Sequence, residues 1–229
     1  LNPAAGRARF GRLIRSPTFF EDAVKTITGC NVSWPNTCRM NALLCSELGD
    51  DDATRGPDPR AFPAAERIAA LAPEELAARC KVGYRAERIV RLARDLCDGT
   101  LDAAWFEDPA RTGDELHEAL LRIHGIGPYA AANLGQLLGH YDRIAIDTET
   151  YRHFCTERGI ARPRDPATLH RRIERHYARY APYQFLGYWF DLWRFYERFI
   201  GRPAWRWTPG EGTGFTAAAF SRAAAGGGR

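Results

Sequence analysis

An all-α fold is predicted for this chain by three features of its sequence. β-branched residues are sparse and alternate only briefly, Ala, Leu, Arg and Glu dominate, and apolar residues recur at helical spacing between turn signals. With 229 residues, 45% of them hydrophobic, the chain is long enough to bury a substantial core as one domain or as two closely packed lobes. Helices are expected over residues 19–29, 36–48, 64–71, 73–78, 86–98, 113–123, 128–138, 148–157, 166–180 and 183–199. Each is bounded by punctuation with a physical role. Ser16-Pro17, Ser33-Trp34-Pro35, Gly83, Gly99, Asp108-Pro109 and Arg162-Pro163 supply a cap, a fixed φ or a turn. The acidic, proline-bearing stretch at residues 50–60 reads as an exposed connection, and the Gly/Ala-rich residues from about 210 as a weakly ordered tail.

Composition narrows the function classes. Six cysteines, Cys30, Cys38, Cys45, Cys80, Cys97 and Cys155, stand singly, without a C-x-x-C pair or a His cluster at ligand spacing. They read as reduced and mostly buried, in a cytoplasmic protein without a structural metal. No uninterrupted apolar run spans a bilayer, and the first residues lack the order of a secretory signal, so no membrane partner is expected. The net charge of +4 hides an asymmetry: residues 151–229 hold 14 basic and 6 acidic side chains, against 18 and 22 in residues 1–150. A basic C-terminal third is one footprint of a polyanion partner, though abundant arginine alone would also produce it. Only two of the basic residues, Lys25 and Lys81, are lysines.

Two segments carry most of the remaining information. QFLGYWFDLWRFYERF, residues 184–199, aligns Phe185, Trp189, Leu192, Tyr196 and Phe199 on one stripe. Burial in a core accounts for that spacing, with stacking on nucleotide bases as the other reading. The second segment is HGIGPYAAANLGQLLGHYDRIAIDTET, residues 124–150. Leu116, Leu120 and Ile123 form the apolar face of a helix that stops at His124-Gly125. Gly125-Ile126-Gly127 makes a tight turn, Pro128 suits the first position of the next helix, and three alanines let the two helices lie close. Such a helix-hairpin-helix directs free backbone N–H groups at one place, which suits a DNA phosphate; a plain helical hairpin is the alternative. About twenty residues on, Asp147 follows an apolar Ile-Ala-Ile run. It can cap the next helix. It can also act in base excision, where cleaving an N-glycosidic bond develops oxocarbenium character that a fixed anion stabilises while it orients or deprotonates water.

LLRIHGIGPYAAANLGQLLG followed by AIDTETYRHF resembles the hairpin, Gly/Pro-rich loop and aspartate of the HhH-GPD superfamily of DNA glycosylases. Upstream, GRLIRSPTFFEDAVKTITGCNVSW and CKVGYRAERIVRLARDL resemble segments of its 8-oxoguanine and 3-methyladenine branches. The resemblance spans roughly residues 11–200. It implies two helical lobes, a bundle over residues 31–141 and a second lobe from residues 1–30 and 142–229, with Asp147 at the mouth of a DNA-binding cleft. It further implies that Asp147 is catalytic and that Gly125, Ile126 and Gly127 hold phosphate, while Asn31 contacts or fills the duplex where a base has been extruded. Tyr129 stands where bifunctional members carry the lysine that forms a Schiff base. The expected chemistry is therefore monofunctional, leaving an abasic site in an uncut strand, with Tyr129 lining the base pocket. No four-cysteine loop follows Cys155, so no iron–sulfur cluster or other cofactor is expected. A monovalent cation at the hairpin carbonyls remains compatible with the resemblance.

The lesser candidates each have two readings. Tyr84 lines the pocket or the core. Arg85 and Lys81 meet phosphate or serve the fold, and Trp34 lines the pocket or is a core tryptophan. His124 donates to phosphate or caps a helix, and Glu149 is a second acid or a first-turn residue. The expected function is excision of a flipped damaged purine, alkylated or oxidised, from double-stranded DNA by a monomeric, nucleoid-associated enzyme. Thymine or uracil mispaired with guanine is the alternative substrate, and a non-catalytic damage-binding module is the alternative class.

Overall fold

The computed structural model describes residues 13–51, 60–161, 163, 165–203 and 206. Residues 52–59 of the expected connection at 50–60, and the Gly/Ala tail from about 210, lie outside the described residues. Among those described, eleven α-helices follow one another: α1 Phe19–Gly29, α2 Trp34–Leu48, α3 Ala65–Ala69, α4 Pro73–Cys80, α5 Arg85–Cys97, α6 Ala103–Glu107, α7 Gly113–Arg122, α8 Pro128–Leu137, α9 Thr148–Arg158, α10 Pro166–Tyr177 and α11 Gln184–Ile200. A single 3₁₀ turn, Ala178–Tyr180, ends the stretch that the sequence read as one helix from 166 to 180. The short helix α6 escaped the sequence reading because five residues are too few to show a period; Asp102 caps it by accepting from the Ala104 amide at 2.9 Å.

The chain divides into two compact units, Ile14–Leu138 and Leu1–Leu13 with Gly139–Arg229. In the first, α3 and α4 pack along α5, and α1 lies against α2, α5 and α8. Its core joins Phe19, Val24 and Ile27 of α1 to Leu44, Ile89, Leu92, Leu120 and Leu134. This corrects the expected boundary at residue 30. Helix α1 buries Phe19, Phe20, Ala23, Val24 and Ile27, and those side chains belong to the core of the central bundle. Most of the stabilising burial in α1 would be lost if it were detached from that bundle. In the second unit, Phe154 of α9, Leu169, Ile173 and Tyr177 of α10, and Phe185, Tyr188, Leu192 and Tyr196 of α11 form a separate core rich in aromatic rings.

The aromatic segment 184–199 is therefore a core helix over most of its stripe. Phe185, Leu192 and Tyr196 are buried, whereas Phe199, near the helix end, is 44% exposed. The cysteines also depart from expectation. All six are free, but only Cys80 is buried, and Cys38 and Cys97 are exposed. Free cysteine is usually buried, but the position of each residue around its helix decides which side chains face the core. Among the described residues, no helix is long and apolar enough to cross a membrane. Nor does any group of three or more His, Cys, Asp or Glu residues there offer a metal site.

Candidate nucleic-acid interface and carboxylate site

The hairpin is built by two well-terminated helices. Thr112 caps α7, accepting from the Glu115 amide at 3.2 Å while the Glu115 carboxylate accepts from the Thr112 amide at 2.9 Å. This reciprocal capping box satisfies two amides that the helix start would leave unpaired. Leu116, Leu120 and Ile123 are buried, as the spacing predicts. The chain then turns, with the Ile126 amide donating to Ile123 O at 3.1 Å and the Ile126 side chain 5% exposed in the bundle core. Pro128 opens α8, and Ala130, Ala131 and Ala132 are all buried.

The two glycines of the turn do different work. Gly125 has φ +89°, and a Cβ there would lie 2.5 Å from Cδ of Arg88. Gly127, the N-cap of α8, has φ −99°, and a Cβ on it would meet nothing within 4 Å. Gly125 thus answers to the fold, whereas Gly127 leaves space in front of a helix start. There the Ala131 amide bonds Gly127 O at 2.9 Å, while the Gly127 and Ala130 amides find no protein acceptor among the described residues. Positive helix-end polarity and amides without acceptors make that space suited to an anion. His124 is exposed beside it, and Tyr129, in the first turn of α8, is half-buried.

A second group of candidates gathers at the start of α5. Lys81 ends α4 in the left-handed region with φ 56° and is exposed. Tyr84 is 56% exposed, and the guanidinium carbons of Arg85 and Arg88 lie 4.6 and 5.0 Å from its ring centre. Arg85 itself is 7% exposed. One of its terminal nitrogens donates to Cys30 O and, at 3.4 Å, to Asn31 O. The reading of Arg85 as a phosphate contact is corrected accordingly: its charge is turned inward, onto the carbonyls of the loop that follows α1. A buried guanidinium needs such acceptors to offset its desolvation. Asn31 is held at φ 51°, a region that asparagine tolerates better than most residues, and its side chain is exposed. Trp34 is 52% exposed, which removes the core alternative for this residue.

Arg88, which the sequence does not single out, joins this group in the fold. Its stem packs against Gly125 while its guanidinium faces Tyr84. Together Arg85 and Arg88 tie the Asn31 loop, Tyr84 and the hairpin turn into one assembly. The signal was present in the i, i+4 spacing of Tyr84 and Arg88, but their link to Gly125 crosses nearly forty residues of sequence and is visible only in the fold.

Asp147 lies in the other unit, half-buried at the N-cap of α9. Its Oδ1 accepts from the Thr150 amide at 2.8 Å and from Thr150 Oγ1 at 2.9 Å, and its own amide donates to Thr150 Oγ1 at 3.3 Å. The helix-capping reading is therefore correct, and it uses one carboxylate oxygen. No donor reaches Oδ2 among the described residues, so that oxygen keeps its capacity to accept. Thr150 is fully buried and its Oγ1 lies 3.0 Å from Tyr188 OH. Burial, and next the charge of Asp147, push the Tyr188 hydroxyl well above its ordinary pKa. Glu149 is engaged on both oxygens. Arg152 Nε donates to Oε2 at 2.7 Å and its terminal nitrogen to Oε1, which also accepts from Tyr196 OH at 2.7 Å. Glu149 is therefore a structural anchor of α9 and α11, and the reading as a second acid is set aside.

No protein-family model matches the chain, and no curated protein matches it. Solved structures do. MBOgg1 in complex with a low-affinity DNA ligand matches at 19% identity and a TM-score of 0.71, over 87% of this chain and 66% of that one. The Clostridium acetobutylicum 8-oxoguanine glycosylase/lyase, bound to double-stranded DNA with cytosine opposite 8-oxoguanine, matches at 17% identity and a TM-score of 0.67, with the same coverage. The Schizosaccharomyces pombe 3-methyladenine DNA glycosylase in complex with abasic DNA matches at 16% identity and a TM-score of 0.62, over 83% of this chain and 88% of that one. The chain spans about two thirds of the length of the first two. The fold that the sequence resemblance implied is the fold of these structures.

Proposed function

We propose that this chain is a DNA glycosylase of the HhH-GPD superfamily that hydrolyses the N-glycosidic bond of a flipped, damaged purine. The observation that carries this reading is the state of Asp147: a half-buried carboxylate with Oδ1 fixed by its own helix and Oδ2 left to accept. It sits in a chain with the fold of glycosylases solved on DNA.

The residues divide the work by chemistry. The amides at Gly127 and the start of α8 donate to a phosphate oxygen, and His124 and Lys81 add charge or donors outside the turn. These contacts carry no sequence information and serve to hold the strand. Asn31, exposed and conformationally fixed by Arg85, contacts or fills the duplex where the base has left it. Tyr84, Trp34 and Tyr129 offer aromatic faces to the displaced base; stacking is worth about 1–3 kcal/mol per base. At the sugar, the bond from C1′ to the base nitrogen breaks and its electron pair departs with the base. Asp147 stabilises the positive charge left on the sugar. Water then bonds to C1′ and gives its proton to Asp147 Oδ2. An alkylated or oxidised purine eases extrusion because it is stacked or paired less well than a normal base.

The product is an intact strand with an abasic site. Schiff-base chemistry needs an amine, and the hairpin position of interest is Tyr129. Of the two lysines, Lys25 is paired with Glu21 on α1 and Lys81 ends α4. A monovalent cation fits the carbonyls of the turn, since Ile123 O and Gly127 O each accept one amide and keep a second lone pair. The decisive experiment is a panel of duplexes with one lesion or mispair each, including alkylated purines, 8-oxoguanine, and thymine or uracil opposite guanine. Alkali-dependent strand breaks at a purine lesion support the proposal, and Asp147→Asn abolishes them while duplex binding survives. Binding without excision by the unaltered protein on every duplex would instead identify a damage-binding module. Borohydride trapping of a covalent adduct would contradict monofunctional chemistry.

A further inference from the structure

We infer that Tyr188 and Thr150 are positioning residues for Asp147: a buried hydroxyl relay that fixes Oδ1 and presents Oδ2 to the reacting sugar and water. The inference rests on the glycosylase reading for its consequence, but its geometry stands inside one compact unit. Proton counting gives the relay its direction. Thr150 Oγ1 has one proton, and that proton is committed to Asp147 Oδ1 at 2.9 Å. The contact between Thr150 Oγ1 and Tyr188 OH, at 3.0 Å, must therefore be donated by the tyrosine. Thr150 Oγ1 also accepts the Asp147 amide at 3.3 Å. The chain of donors runs from Tyr188 to Thr150 to the carboxylate, each link polarising the next.

Burial makes the arrangement rigid. Thr150 is 0% and Tyr188 6% exposed, and Tyr188 is packed among the rings of Tyr177 and His153, whose centres lie 5.7 and 6.1 Å away. An ordinary N-cap requires only a side-chain oxygen accepting from a helix amide, which the Thr150 amide already supplies at 2.8 Å. Thr150 Oγ1 completes a capping box by accepting the Asp147 amide; its donation to Oδ1 and the Tyr188 hydroxyl behind it go beyond what capping needs. Their effect is to hold the carboxylate against rotation about its terminal bond, so that Oδ2 keeps the position from which it stabilises a sugar cation and accepts a proton from water. A carboxylate misplaced by a fraction of an ångström loses much of that benefit.

The test compares Tyr188→Phe, Thr150→Val and Thr150→Ser with the unaltered protein in three measurements. These are single-turnover excision, affinity for a duplex bearing an abasic-site analogue, and the carbon-13 NMR resonance of the Asp147 carboxyl at fixed pH in aspartate-labelled protein. Tyr188→Phe and Thr150→Val are expected to slow excision about tenfold with affinity within twofold. Both should shift the Asp147 carboxyl resonance. Thr150→Ser, which keeps the hydroxyl, restores the rate. If Tyr188→Phe fails to fold, as its melting profile will show, the Val and Ser pair at position 150 decides alone. Unchanged rates and an unmoved Asp147 resonance would overturn the relay, even with Asp147→Asn inactive. If the unaltered protein excises no base from any duplex, the glycosylase reading fails while the Asp147 resonance still judges the relay.

Discussion

Replacing Gly125 and Gly127 separately by alanine separates the fold of the hairpin from its proposed use. At Gly125 the backbone has φ +89°, and an added Cβ would stand 2.5 Å from Cδ, 2.6 Å from Cγ and 2.9 Å from Cβ of Arg88. The left-handed region costs a residue with a Cβ about 1–2 kcal/mol, and displacing the packed base of the Arg88 side chain adds about 1–3 kcal/mol more. A loss of about 2–5 kcal/mol lowers the melting temperature by on the order of 10 °C in a protein of this size. At Gly127 the backbone has φ −99° and the added Cβ meets no atom within 4 Å. The stability cost there reduces to the poorer capping by alanine, on the order of 0.5 kcal/mol, or a degree or two. The methyl group nevertheless occupies the approach to the α8 amides, so duplex affinity should fall about tenfold. Thermal melts and fluorescence-anisotropy titrations on one duplex measure both. Similar melting temperatures for the two variants, or undiminished duplex affinity in Gly127→Ala, would refute the assignment of separate roles.

Further outcomes follow from the same structure. His153 is fully buried, and desolvation pushes its pKa down to about 4 from 6.5. The unfolded chain therefore takes up a proton below about pH 6.5 that the folded chain refuses, and stability falls between pH 6.5 and 4. At pH 5 the loss is about 2 kcal/mol, seen as a lower urea midpoint than at pH 7, and His153→Phe should flatten that dependence. Arg85→Gln removes the donor to Cys30 O and Asn31 O and is expected to cost about 2 kcal/mol in a urea melt. It should also weaken duplex binding through the loosened Asn31 loop, whereas Lys81→Gln should affect only affinity and its salt dependence. Burial pushes the Cys80 thiol up to about 11. In thiol titration at pH 8, Cys38 and Cys97 should react first and Cys80 only as the protein unfolds.

Much of the fold could be read from local chemistry. The range of α1 coincides with its expected span, because Thr18 caps it and a polar break follows. The start of α8 was marked by Pro128, and α7 begins at the expected residue 113, where the structure adds Thr112 as its cap. These are short-range effects, complete within one or two helical turns, so they survive whatever packs around them. Leu116, Leu120 and Ile123 were assignable to a core for the same reason, since a helix places them on one face. The turn of residues 124–127 and the position of Asp147 at a helix start were likewise legible before any coordinates.

What tertiary structure decided concerns partners far apart in sequence. Arg85 looked like a cation for phosphate, and only the approach of the loop after α1 turned it onto two carbonyls. Arg88 gained its place from contact with Gly125, and Glu149 lost its candidacy to Tyr196, forty-seven positions away. The sequence by itself determined the helical class, the hairpin and the aspartate, because each depends on residues within a turn or two. The fold alone decided that Gly125 yields to Arg88, that α1 belongs to the central bundle, and that Tyr188 reaches Thr150 behind Asp147, because hydrogen bonds and packing between distant segments have no signature in local spacing.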